Sequence, residues 1–196
     1  MQRETAKASS APEPIAVALG LGANRDAPVA TVRRAVARLA EKGLREIRLS
    51  GLYLTRPEDC RPGTPDFVNG ALVGRWPGSP QSLLAACHGI EREMGRPADH
   101  ARDEARTIDL DILLVKGCEL QTDNLRTPHP RLVERLFVLT PLAEVAGDWP
   151  VEVGGRRRPV ADWLRALRQA TPGHESLVRP LPQGGGGCFC GRPPGL

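Results

Sequence analysis

From residue 106 to residue 114 the chain reads Arg106-Thr107-Ile108-Asp109-Leu110-Asp111-Ile112-Leu113-Leu114, an apolar run broken by two carboxylates two positions apart. On a strand, alternate side chains share a face, so Asp109 and Asp111 point one way while Ile108, Leu110 and Ile112 enter a core. Two carboxylates this close repel one another and bear a desolvation cost unless a cation compensates them. The pair therefore reads as a hard-metal site, and oxygen-only ligation favours Mg²⁺ held jointly with a substrate's phosphates. The plainer alternative is a solvated strand face. The break in a buried run, next to a basic loop, weighs against it.

That loop contributes Arg96, His100, Arg102 and Arg106, and His129 and Arg135 lie further on. Guanidinium groups beside a carboxylate pair and its metal neutralise a polyphosphate and hold its oxygens through paired hydrogen bonds. Any one of these arginines reads equally well as a surface charge, so the cluster carries the argument. His129, between two prolines, reads equally well as the cap or buttress of a turn. In Pro65-Asp66-Phe67-Val68-Asn69-Gly70 the side chains of Phe67 and Asn69 share a strand face. An aromatic plane beside an amide suits a flat, amide-bearing heterocycle, although Phe67 alone reads more simply as core.

Around these segments the periodicity predicts an α+β domain. A short buried strand, Ile15 to Leu19, is expected to end in a tight loop at Gly20-Leu21-Gly22-Ala23-Asn24, with Asp26 capping a helix over 28–42 that Gly43 stops. Strands over 46–53 and 67–76 follow, then a helix opened by Ser79-Pro80 and closed by Gly95, a polar loop over 96–106, and a strand over 107–115. The order β-α-β-β-α-β is that of ferredoxin-like folds, with helices on one face of a largely antiparallel sheet. A helical extension follows at about 131–145 and 160–169. We expect a disordered lead-in over 1–13, a single domain over 14–172 and a flexible Gly/Pro-rich tail over 173–196.

Composition narrows the function. The start of the chain lacks the apolar core of a signal peptide and no run approaches the roughly 20 apolar residues of a membrane helix, so a cytoplasmic protein without membrane contact is expected. Five cysteines without Cys-x-x-Cys spacing indicate neither a disulfide framework nor a zinc site. A net charge of +4 suits an anionic ligand, while 4% aromatic content disfavours a base-stacking surface for nucleic acid, even with Arg156-Arg157-Arg158 available.

Taken together, several motifs resemble those of the 6-hydroxymethyl-7,8-dihydropterin pyrophosphokinase family. They are Ala18-Leu19-Gly20-Leu21-Gly22-Ala23-Asn24, Leu52-Tyr53-Leu54-Thr55-Arg56-Pro57, Pro65-Asp66-Phe67-Val68-Asn69, Gly95-Arg96, the aspartate segment, and Pro128-His129-Pro130-Arg131 with Arg135-Leu136-Phe137-Val138-Leu139. The resemblance covers about residues 15–170. It implies a ferredoxin-like fold, Asp109 and Asp111 binding two Mg²⁺ ions, and pyrophosphate transfer from ATP to the pterin hydroxymethyl group with AMP leaving. It implies that Thr55, Phe67, Asn69 and Phe137 hold the pterin, that Glu91, Arg102, Arg106, Ile112, His129 and Arg135 contact or position ATP, and that Arg102 and Arg106 are catalytic. A monomer is expected. The chain departs from the family's loop pattern at Ala98 and Asp103, where an arginine and a tryptophan are usual, and this implies slower transfer or, alternatively, a diverged paralogue that binds pterin and nucleotide and acts on another pterin.

Overall fold

The computed structural model describes residues 13–58, 61–95 and 107–182. The lead-in, the Gly-rich end of the tail and the loop with Arg96, Ala98, His100, Arg102, Asp103 and Arg106 lie outside the described residues, as do the expectations attached to them. The chain runs β1 (Ile15–Ala23), α1 (Pro28–Glu41), β2 (Arg45–Leu49), β3 (Tyr53–Thr55), β4 (Phe67–Trp76), α2 (Pro80–Glu93), β5 (Asp109–Val115), β6 (Leu120–Gln121), β7 (Arg126–Thr127), a 3-10 turn at Leu132–Glu134, α3 (Leu136–Ala146), β8 (Pro150–Val153), β9 (Arg156–Pro159), α4 (Val160–Ala170), and β10 (Val178–Pro180). The main sheet has the order β10-β3-β4-β1-β5, with β2 also paired to β4, and every pairing in it is antiparallel.

Period-two alternation divides the sheet into two faces. Val17, Leu19 and Leu21 of β1 and Leu72 of β4 meet the apolar stripes of α1 and α2, among them Val32, Leu39, Leu83 and Ile90. Ala18, Ala71 and Val73 look the other way, onto Leu139 and Leu142 of α3 and Leu164 of α4. Thus α1 and α2 cover one face as expected, and the helical extension covers much of the other. No helix among the described residues is long and apolar enough to cross a membrane.

The structure departs from the sequence expectations at four places. The Gly-x-Gly segment is the second half of a nine-residue β1 that runs to Ala23, because β4 and β5 pair with it on both sides. Asp26 does not cap α1; it sits at φ +45°, and Ala27 occupies the cap position without a side-chain bond. The strand expected over 46–53 is interrupted, because Ser50 puts its Oγ, at 2.9 Å, where a backbone carbonyl would accept the Ala71 amide. Beyond residue 172 the chain returns to the sheet. β10 pairs with β3, Val178 packs on the α3 side, and the Leu181 amide donates to Leu52 O at 2.8 Å.

Candidate active site

Register places the residues of interest in a row. Tyr53 of β3 lies opposite Asn69 of β4, Asn69 opposite Gly22 of β1, and Gly22 opposite Asp109 of β5; in the next row Gly20 separates Ala71 from Asp111. By alternation Thr55, Phe67, Asn69, Asp109 and Asp111 all belong to the face that carries α3. The glycines keep the floor low. A Cβ on Gly22 would stand 2.7 Å from Asn69 Oδ1, and one on Gly20 would stand 3.4 Å from the Leu113 side chain. Thr55 is buried, and its Oγ1 accepts a 2.6 Å hydrogen bond from Asn69 Nδ2, which fixes which end of the amide faces β3 and which lies over Gly22.

The aspartate strand is an edge strand, and several of its outward polar groups are met by other segments. Ala18 pairs with Leu114 and Leu19 with Ile112, so Leu113 bulges at the junction. Its carbonyl accepts the His129 amide at 2.9 Å, and Thr127 Oγ1 accepts the Val115 amide at 3.0 Å. These bonds dock the Pro-rich turn against β5 and bring His129 to the aspartate end of the row. Burial pushes the imidazole below its ordinary range, helped by Arg135 and Arg131, while Asp109 and Glu134 pull it back. His129 Nδ1 accepts the Arg131 amide at 3.2 Å, so the neutral ring carries its proton on Nε2. Arg135 is the cap residue of α3, and its guanidinium lies 5.4 Å from the centroid of Phe137 in the first turn.

Two residues that the resemblance assigns to ATP are not on this face. Ile112 sends its side chain into the core beneath α1 and α2. Glu91 is only 3% exposed, on the inner side of α2, and its Oε1 accepts the Leu110 amide at 2.8 Å. Next to it, burial pushes the Cys87 thiol up to about 12, with Glu91 and Asp111 adding to the shift. Residues missed from sequence include Gly20 and Gly22, whose two-residue spacing on a strand is itself a signal for one bare face. Also missed are Thr127 and the Tyr53–Glu144 hydrogen bond.

Among the described residues no group of three or more His, Cys, Asp or Glu side chains is placed to hold a metal. Among the described residues, the donor set at the end of the row is two carboxylates from one strand. That set fits a hard cation whose remaining ligands are phosphate and water oxygens. A closed structural metal site, by contrast, needs more protein donors.

The fold recurs among solved proteins. A crystal structure of Plasmodium falciparum HPPK-DHPS aligns over 80% of this chain and 45% of that one, with a TM-score of 0.59 at 15% identity. The Synechocystis sp. protein named 2-amino-4-hydroxy-6-hydroxymethyldihydropteridine pyrophosphokinase is 36% identical over 132 residues, which is 67% of this chain and 66% of that protein. The mitochondrial folate synthesis bifunctional protein of Pisum sativum is 31% identical over 179 residues, 87% of this chain and 34% of that protein. The chain therefore spans just under two thirds of the first of these relatives and about a third of the second. Residues 18–147, which contain the whole row and all of α3, match the family model described as 7,8-dihydro-6-hydroxymethylpterin-pyrophosphokinase, and the chain belongs to that family.

Proposed function

We propose that the chain transfers pyrophosphate from Mg·ATP to the hydroxymethyl group of 6-hydroxymethyl-7,8-dihydropterin and releases AMP. The observation that carries this reading is the row itself: the Asn69–Thr55 amide–hydroxyl pair and the Asp109/Asp111 carboxylates share one face across the bare Gly20/Gly22 strand. Two interstrand steps separate β4 from β5, about 10 Å. That span seats a flat heterocycle beside a polyphosphate.

At one end, Phe67 and Phe137 take the two faces of the pterin ring, and Asn69 and Thr55 bond its polar edge. The Thr55 oxygen already accepts from Asn69, so its own proton is left to donate to the ligand. At the other end, Asp109 and Asp111 hold two Mg²⁺ ions. When bound, these ions neutralise the phosphates and polarise the transferring group. Arg135, together with Arg102 and Arg106 of the loop, adds cationic charge, and the Nε2–H of neutral His129 donates to a phosphate oxygen. Glu91 works from below by fixing the strand between the two aspartates.

The hydroxymethyl oxygen forms a bond to the β-phosphorus and gives up its proton to solvent, the bond from that phosphorus to the α,β-bridging oxygen breaks, and AMP keeps the electron pair. Such transfer needs in-line placement and charge neutralisation more than a covalent nucleophile. On this reading the enzyme acts as a cytoplasmic monomer. An assay coupled to AMP, with the pterin and Mg·ATP, tests the reading: AMP should form only when both substrates are present. ADP as the nucleotide product would refute it.

A further inference from the structure

Beyond the residues that would touch either substrate, one polar contact joins the two walls of the pterin end. Tyr53 stands beside Asn69 in the sheet and shares a face with Thr55, two residues along the same strand. Its Oη donates a hydrogen bond to Glu144 Oε1 on α3, and the Gly51 amide donates to Glu144 Oε2 at 2.8 Å. Both carboxylate oxygens are therefore spent on the segment that leads into β3. The carboxylate lies close against Gly51: a Cβ there would lie 3.4 and 3.5 Å from its two oxygens, in ordinary contact. The same segment is tied to β4 through Ser50, whose amide donates to Ala71 O at 2.8 Å and whose Oγ accepts the Ala71 amide.

Glu144 lies seven residues after Phe137 on α3, with the buried Pro141 between them, so the three occupy one face of the helix at i, i+4 and i+7. A rigid helix held at Glu144 is thereby held at Phe137 two turns away. The β3 wall carries Thr55 and the α3 wall carries Phe137, and the Tyr53–Glu144 bond ties one element to the other. Burial and the neighbouring carboxylate together keep the phenol protonated, pushing it up to about 12, with Arg168 of α4 opposing the shift.

We infer that Tyr53 and Glu144 are positioning residues that fix the gap between the Thr55–Asn69 wall and the Phe137 wall, and so govern affinity for the flat heterocycle without governing affinity for the nucleotide. The inference rests on the proposed pterin site, and its test keeps the two apart.

The test measures pterin affinity and Mg·ATP affinity by titration calorimetry on the full chain with Tyr53→Phe, Glu144→Ala, the double variant, Glu144→Gln and Asn69→Ala. The inference predicts that Tyr53→Phe and Glu144→Ala each weaken pterin binding by about tenfold, with Mg·ATP affinity kept within about twofold. The double variant should lose no more than Glu144→Ala alone. Glu144→Gln, whose amide oxygen still accepts from Tyr53, should recover most of the loss. Equal weakening of both ligands, or additive losses in the double variant, would mean a merely structural contact and overturn the inference. Unchanged pterin affinity in both latch variants while Asn69→Ala loses it would overturn the latch and leave the pterin site standing. Unchanged affinity in all of them, Asn69→Ala included, would remove the site and the latch together.

Discussion

Glu91 Oε1 accepts the Leu110 backbone amide at 2.8 Å, so a buried carboxylate on α2 grips the aspartate strand at the residue between Asp109 and Asp111, from the opposite face of the sheet. An edge strand would otherwise turn that amide towards a dry helix interface. With Glu91→Ala the donor loses its partner, and stability should fall by about 1–3 kcal/mol in denaturant unfolding. Glu91→Gln, which still offers an oxygen, should keep most of that stability. If Glu91→Ala unfolds at the same denaturant concentration as the natural chain, the contact does not hold the strand.

Asp109→Ala or Asp111→Ala should abolish Mg-dependent ATP binding, because one remaining carboxylate does not hold the ions against water. The glycine floor and the pterin wall are untouched by either change, so pterin affinity should persist. Titration calorimetry with Mg·ATP and with the pterin reads both, and unchanged Mg·ATP affinity in both variants would dismiss the metal site.

At the opposite end of the row, Asn69→Ala should weaken pterin binding by about 1–3 kcal/mol and spare ATP, since it strips the polar edge of a ring seated between apolar walls. The same substitution removes the donor that orients Thr55 Oγ1. Thr55→Val should therefore lose a comparable amount, and the two losses should not add. Additive losses in the double variant would show that the pair does not act as one unit.

His129 takes its proton less readily in the folded chain than in the unfolded one, through burial first and Arg135 and Arg131 next. Below its ordinary value of about 6.5 the unfolded chain then binds more protons than the folded chain, so stability falls as pH drops through that value. The fall should cease once the folded imidazole is itself protonated. Denaturant midpoints for the natural chain and His129→Gln, taken at several pH values below 7, should show a shallower acid loss in the variant. Parallel curves would mean that His129 contributes nothing to it.

The aspartate pair was legible because alternation on a strand is a local property: Asp109 and Asp111 share a face whatever the rest of the chain does, and so do Phe67 and Asn69. The Gly20–Gly22 segment reads as a loop because glycine is a weak strand former, and only pairing on both sides holds it in the sheet. Nor does sequence locate the Leu110 partner of Glu91, 19 residues away across a change of element. The three residues of β10, ending in proline, carry no readable period, yet they pair with β3 and extend the sheet beside Thr55. The side-chain pairs that tune the site, Asn69–Thr55 and Tyr53–Glu144, depend on tertiary placement.

In the proposed reaction one sheet face seats both substrates so that the β-phosphorus of ATP is the atom attacked. A single-turnover reaction with ATP labelled at the β-phosphorus, in the presence of the pterin and Mg²⁺, tests it most directly. Label should leave the nucleotide and appear in the pterin product in step with AMP, one for one. Label retained in ADP, with only the γ-phosphoryl group transferred, would contradict it.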